Sequence, residues 1–239
     1  MTGELRNAAG ERLDYTFHAA ANRSTNRVAL IGHGLTGNKD RPWAVALGKA
    51  LSEADIPALR FSFAGNGESE GRFEDCTITK EVADLGTVID AVTPSFTEVV
   101  YVGHSMGGAV GVIRASHDDR IKRLVSLAGM VHTKRFCEEE FGEVTPGEGT
   151  MWEDEDCPLS QAFVDDLTTI GSVLPLGPGI SVPWCFVHGT EDDIIPIAEG
   201  RELFATASEP KEWNELPETN HVFADDPLPM TQAVAHFLS

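Results

Sequence analysis

The sequence predicts an α/β domain built on a mostly parallel sheet, and three observations carry that prediction. β-branched and aromatic runs alternate with segments whose apolar residues recur at helical spacing, which is the rhythm of parallel crossovers. One stretch, residues 99–112, reads as strand, tight turn and helix in succession. Its β-branched run stops at Gly103, Ser105 follows, and Gly107-Gly108 opens a helical segment. At 239 residues the chain has the length of one domain with a sizeable core, so residues 1–239 are expected to form a single unit.

In chain order, residues 5–7 and 13–18 flank Ala8-Ala9-Gly10-Glu11 and predict a hairpin at a sheet edge. Residues 27–32 read as a buried strand that runs into the glycine-rich loop 33–38, at the carboxyl end where open α/β sheets place their ligands. A helix is expected over 43–54, a strand over 56–63, and a helix over 78–92, where Val82, Leu85, Val88, Ile89 and Val92 share one face. The strand 98–104 feeds the serine turn, a helix continues over 108–117, and 121–128 is the sixth strand. The loop 64–71 is rich in turn formers. It lacks both the Gly-Lys-Ser/Thr of a P-loop and the second half of a dinucleotide fingerprint, which leaves nucleotide binding poorly supported.

After the sixth strand the rhythm breaks. Pro146-Gly147, Pro158, Pro175 and Gly177-Pro178-Gly179 interrupt any long period, and within this segment helical spacing is clear only over 159–170. An insertion of this length between regular strands predicts a cap or lid over a site, spanning about 130–182, with Trp152, Phe141 and Phe163 as candidates for its inward side. Regular structure resumes with a strand over 183–189, a helix over 197–207, a strand over 211–216 and a closing helix over 229–238.

The formal net charge of −20 argues against nucleic acid and against anionic membrane surfaces as partners. The charge is uneven. Residues 136–200 contain no lysine or arginine, while Glu138, Glu139, Glu140, Glu143, Glu148 and Glu153 to Asp156 crowd the first third of that span. A solvated face that maintains solubility accounts for this, and such a field would also disfavour anionic substrates. The N-terminal residues show no basic-then-apolar leader and the longest apolar runs are too short to cross a bilayer, which predicts a cytoplasmic protein. Cys76, Cys137, Cys157 and Cys185 show neither Cys-x-x-Cys nor zinc-ligand spacing, so scattered reduced thiols are expected.

The chemistry concentrates at Ser105. A serine at a sharp strand-to-helix turn needs very small residues two positions to either side, and Gly103 and Gly107 meet that need. The turn lifts the hydroxyl above the sheet edge and places the Met106 amide at a helix N-terminus, where it can stabilise an oxyanion. Downstream, carboxylates in His188-Gly189-Thr190-Glu191-Asp192-Asp193 follow a late strand, and His221 lies in the loop after the last one. The order is therefore Ser105, then Asp192 or Asp193, then His221. His33 and His188, each before a glycine at a strand end, are expected to be packed or hydrogen-bonded supports. The His104 side chain is expected to point away from the site.

That order, with His33-Gly34-Leu35-Thr36-Gly37, Gly65-Asn66-Gly67-Glu68-Ser69 and Gly103-His104-Ser105-Met106-Gly107-Gly108, makes nearly the whole chain resemble the α/β-hydrolase superfamily. The phrases His-Gly-Leu-Thr-Gly-Asn-Lys and Arg-Phe-Ser-Phe-Ala-Gly-Asn-Gly-Glu-Ser-Glu-Gly are most similar to small serine esterases of the cinnamoyl or feruloyl esterase type. That subgroup usually carries aspartate where this chain has Ser62. The resemblance implies the α/β-hydrolase fold, with a mostly parallel central sheet flanked by helices and the cap after the sixth strand. Its His-Gly-x-x-Asp pattern selects Asp192 over Asp193, and it implies backbone N–H donors at Leu35 and Met106. His221 would accept the Ser105 proton, Asp192 would orient the ring, and an acyl-enzyme would then be hydrolysed by water. The expected function is a serine carboxylesterase acting on small acyl or aromatic esters as a monomer or homodimer, with neither metal nor organic cofactor. Thioester or peptide cleavage on the same fold, and a ligand-binding homologue without turnover, are the competing expectations.

Overall fold

Strands buried on both faces read as near-continuous apolar runs, and Val28–Ile31, Val99–Val102 and Trp184–Val187 are such runs. The structure, a computed structural model, describes residues 3–20, 22 and 25–239. β1 (Leu5–Arg6) and β2 (Arg12–Leu13) pair antiparallel as a small hairpin. β3 (Tyr15–His18), β4 (Arg27–Gly32), β5 (Ala58–Phe61), β6 (Glu98–His104), β7 (Ile121–Leu127), β8 (Trp184–Gly189) and β9 (Lys211–Leu216) form one sheet in the order β3-β5-β4-β6-β7-β8-β9. Only the edge strand β3 runs antiparallel to its neighbour.

Alternate residues of the inner strands enter two separate cores. Val28, Leu30, Val99, Tyr101, Trp184 and Phe186 face one side, and Ala29, Ile31, Val100, Val102, Cys185 and Val187 face the other. α2 (Ile78–Val92), α3 (Met106–Ala115) and α6 (Ile197–Thr206) bury their apolar residues in the first core. α1 (Pro42–Glu53) and α7 (Leu228–Leu238) bury theirs in the second. Proline in the first turn of α1, where no intrahelical acceptor is required of its nitrogen, and the Thr77 cap on the Lys80 N–H of α2 fix two of the starts. The result is the doubly wound, mostly parallel sheet that the alternation predicts.

Three local expectations need correction. The run 13–18 is not one strand: the chain bends at Asp14, whose N–H donates to Ser69 Oγ and whose carbonyl accepts from the Ser62 N–H. Leu13 therefore stays in the hairpin while Tyr15–His18 joins the main sheet, and the irregular segment follows the seventh strand in chain order. The helix after the serine turn begins at Met106, not at residue 108. Between β7 and β8 there are two α-helices where helical spacing indicates one. α4 (Thr133–Phe141) is mostly charged, and only Thr133, Phe136, Cys137 and Phe141 are buried, which obscures its period. It packs beside α5 (Gln161–Ile170), capped by Ser160 on the Phe163 N–H.

Within this segment Phe141 and Phe163 are core residues, ring centroids 6.3 Å apart, while Trp152 is 43% exposed. All four cysteines are buried and free. The loop 64–71 is pinned to the N-terminal hairpin: Glu70 N–H donates to the Arg12 carbonyl, and the Glu70 carboxylate takes up Arg6. Among the described residues no helix is long and apolar enough to cross a membrane.

The connection that closes the Ser105 unit is clamped by charge. Asp118, between α3 and β7, accepts from both Arg114 and Arg120 at 2.6–2.8 Å. The Arg120 bonds outweigh burial and, with Arg114, hold the carboxyl well below the usual carboxylate range. A pKa lowered on folding stabilises above the unfolded value of about 3.9 and ceases to do so as pH falls through the folded value. Asp118→Asn is expected to lower unfolding free energy by about 1.5–3 kcal/mol at neutral pH and to lessen the loss of stability below about pH 4, read by urea melts across pH.

Candidate active site

Ser105 sits where β6 ends and α3 begins, with φ 53° and ψ −121°, a conformation that a non-glycine residue adopts only when its surroundings enforce it. The enforcement is steric. A Cβ on Gly103 would overlap the Gly107 carbonyl, and one on Gly107 would overlap the carbonyl of His33. Gly34 presses equally close, since a Cβ there would lie 2.7 Å from Ser105 Cβ. The buried Tyr101 hydroxyl donates to the Gly107 carbonyl at 3.0 Å and ties the first turn of α3 back to β6.

The loop after β4 is held by His33. The Phe63 N–H donates to His33 Nε2 at 3.1 Å, so Nδ1–H is the donor to the Gly34 carbonyl at 2.8 Å. Burial lowers its pKa to about 4, which keeps the ring neutral. Leu35 follows in this loop and lines a cavity of about 220 Å³ shared with Ser105 and His221. Met106 is the first residue of α3, where the helix offers its N–H no acceptor. Among the described residues neither the Leu35 nor the Met106 N–H has a protein acceptor.

Asp192 and His221 meet although 29 residues separate them. His221 Nδ1–H donates to the Asp192 carboxylate, at 2.9 Å from Oδ2 and 3.0 Å from Oδ1, which leaves Nε2 as the acceptor of the ring. The Asp192 side chain is fully buried. Its Oδ1 also accepts from the Ile194 and Ile195 N–H groups, and Oδ2 lies 3.1 Å from His188 Nε2. Burial alone would raise this carboxyl; the hydrogen bonds from His188 and His221 overcome it and hold Asp192 well below the usual carboxylate range. Asp193 is exposed, so the choice between the two aspartates follows from burial and from contact with His221.

His188 is a hydrogen-bonded support, as its place before Gly189 indicates, shared between Asp192 and the Ile195 carbonyl. His104 needs correction. It lines the cavity, its ring lies tilted with centroids 4.8 Å from those of Trp43 and His221, and it donates Nε2–H to the His221 carbonyl at 2.9 Å. As the last residue of β6 it faces the second core, toward the loop that carries His221, and no strand-level pattern reveals where that loop lies. Burial, followed by the His221 charge, lowers its pKa to about 3. Spacing gave no sign of three other walls, Trp43, Ile194 and Val222, whereas Trp152, from the segment between β7 and β8, lines the cavity as a candidate for the inward side of that segment should. Trp152 and Glu153 have φ of 49° and 61°, and the Trp152 indole donates to Glu140 at 2.7 Å. Among the described residues no cluster of three or more His, Cys, Asp or Glu side chains is placed to hold a metal ion.

A doubly wound parallel sheet with a serine strained at the strand-to-helix turn after a central strand defines a class, and residues 30–170 match the family model described as alpha/beta hydrolase fold. The chain belongs to that family. It is 28% identical over 217 residues to a protein called YfhR from Salmonella typhi, covering 86% of this chain and 68% of that protein. It is 30% identical over 115 residues to protein phosphatase methylesterase 1 from Bos taurus, covering 47% of this chain but 29% of that one. The structure of Est1E from Butyrivibrio proteoclasticus with bound ferulic acid superposes with a TM-score of 0.89 at 23% identity, over 99% of this chain and 98% of that one. This last likeness is one of fold.

A Cβ at Gly107 would overlap the His33 carbonyl oxygen. Gly107→Ala must push the serine turn away from the loop 33–37, and is expected to destabilise the protein by about 1–3 kcal/mol in thermal or urea unfolding.

Proposed function

We propose that this protein is a serine esterase that hydrolyses carboxylic esters of small acyl or aromatic acids through an acyl-enzyme. The observation that carries the reading is the buried Asp192–His221 pair opening onto the cavity of Ser105, with two backbone N–H groups that lack protein acceptors in the segments flanking that serine. Ser105 is the nucleophile, His221 the general base and then acid, and Asp192 the group that fixes the ring tautomer and stabilises the imidazolium. In the first half-reaction Ser105 Oγ attacks the ester carbonyl as His221 Nε2 takes its proton; collapse expels the alcohol, which receives that proton. In the second, water attacks the acyl-enzyme with the same base, and the free acid and Ser105 are restored. The Leu35 and Met106 N–H groups supply the oxyanion hole.

An apolar cavity walled by Trp43, Leu35, Ile194 and Val222 suits a short or flat acyl group. Residues of about 130–182 act as the cap, with Trp152 as its contribution to the site. The reading needs neither metal nor organic cofactor, and four buried free thiols accord with a cytoplasmic setting.

Ser105→Ala is expected to lower kcat/KM for a short p-nitrophenyl ester by about 10⁴-fold or more, with circular dichroism unchanged. Asp192→Asn should cost about 10⁴-fold in kcat, because it favours the wrong His221 tautomer. Turnover that survives Ser105→Ala would overturn the assignment. Parallel kinetics on ester, thioester and dipeptide substrates separate the ester reading from its two neighbours, and tight binding without multiple turnovers would mark a receptor instead.

A further inference from the structure

The chain carries a net charge of −20, and in such a field arginines are expected to be paired. Every described arginine but one forms an ion pair with a carboxylate. The exception is Arg41. Its Nη2 donates to the Thr36 carbonyl at 2.7 Å, and it has no acidic partner among the described residues. Arg41 lines the cavity of Ser105, where among the described residues the lining includes no other arginine, no lysine and no carboxylate. The bond to Thr36 anchors one edge of the guanidinium to the same loop that carries Leu35, and its other N–H groups have no hydrogen-bond acceptor among the described residues.

We propose that Arg41 is an anion subsite of this cavity, which selects esters bearing a second, free carboxylate on either the acyl or the alcohol half. The inference rests on the esterase reading for the identity of the bond that is cut, but not for the binding itself. A guanidinium presents paired donors that match a carboxylate edge, and one anchored by Thr36 has less freedom to lose on pairing. The field of the chain narrows the class further. Glu148, Glu153, Asp154 and Asp156 belong to the acidic segment that also contributes Trp152 to the cavity wall, so a dianion such as a phosphate monoester is penalised about twice as heavily as a monoanion. A single carboxylate on an otherwise apolar ester satisfies both the cation at the rim and the walls of Trp43, Trp152 and Val222. The acidic segment therefore opposes anions at long range, while one contact selects them at short range.

A competing role for Arg41 is to shape the loop 33–37 through Thr36, and this would alter neutral and charged ligands alike. The test is a comparison within matched pairs, in protein carrying Ser105→Ala so that ligands persist: monomethyl adipate against methyl hexanoate, and 4-butyryloxybutanoate against butyl butyrate. Trp43 and Trp152 at the cavity make intrinsic fluorescence a readout, with calorimetry as a second. At least one carboxylate ester is expected to bind about tenfold or more tightly than its neutral partner. Arg41→Gln should reduce that preference to within about twofold, and Arg41→Lys should keep part of it. A preference absent from both pairs, or one that survives Arg41→Gln, overturns the subsite. Turnover of the neutral esters by protein with Ser105 intact is measured separately. Its absence would overturn the esterase reading while leaving an Arg41-dependent preference in place.

Discussion

Everything at the carboxyl end of this sheet depends on one close approach of backbone to backbone. The end of β6, the first turn of α3 and the loop after β4 meet within van der Waals distance, and Gly103, Gly107 and Gly34 are the residues at which they touch. Any side chain there would part them. Because they meet, Ser105 is forced into a left-handed conformation, α3 starts at the very next residue, and Leu35 stands beside the serine. The Tyr101 hydroxyl under the turn satisfies the Gly107 carbonyl, so the strained geometry rests on a saturated polar contact and not on packing alone.

The polar groups around this turn are differentiated by what each one touches. Four histidines surround it, and each has its own set of hydrogen-bond partners. His33 is locked neutral between an N–H and a carbonyl, and His104 is neutral in its buried place under His221. His188 and His221 both face Asp192, which remains ionised although its side chain is entirely buried. A buried carboxylate is tolerable only when its oxygens are saturated, and here two backbone N–H groups and two imidazoles do so.

Much of this was legible in the residues. The apolar face of α2 and the run of β9 have the bounds that periodicity indicates, 78–92 and 211–216. Two glycines around a serine after a β-branched run declared the turn. Legibility failed where the determining contact is remote. The strand over 13–18 divides because Asp14 is held by Ser62 and Ser69, far along the chain. α4 was obscured because its exposed side is wholly charged and its buried residues are few. The orientation of His104 depends on the His221 loop, and Phe141 and Phe163 serve the packing of their own segment, leaving Trp152 to reach the cavity.

The sequence by itself determined the alternating fold, the serine turn and the order of serine, acid and histidine, because these rest on local sterics and on periodicity that a short window contains. Spacing left Asp192 and Asp193 open and the family pattern chose Asp192; only the tertiary structure decided that its carboxylate is buried against His221, that His188 shares it, and that Arg41, bonded to the Thr36 carbonyl, lines an apolar cavity with no acidic partner among the described residues. Burial and charge pairing are properties of residues brought together from distant parts of the chain. No spacing along the chain encodes them.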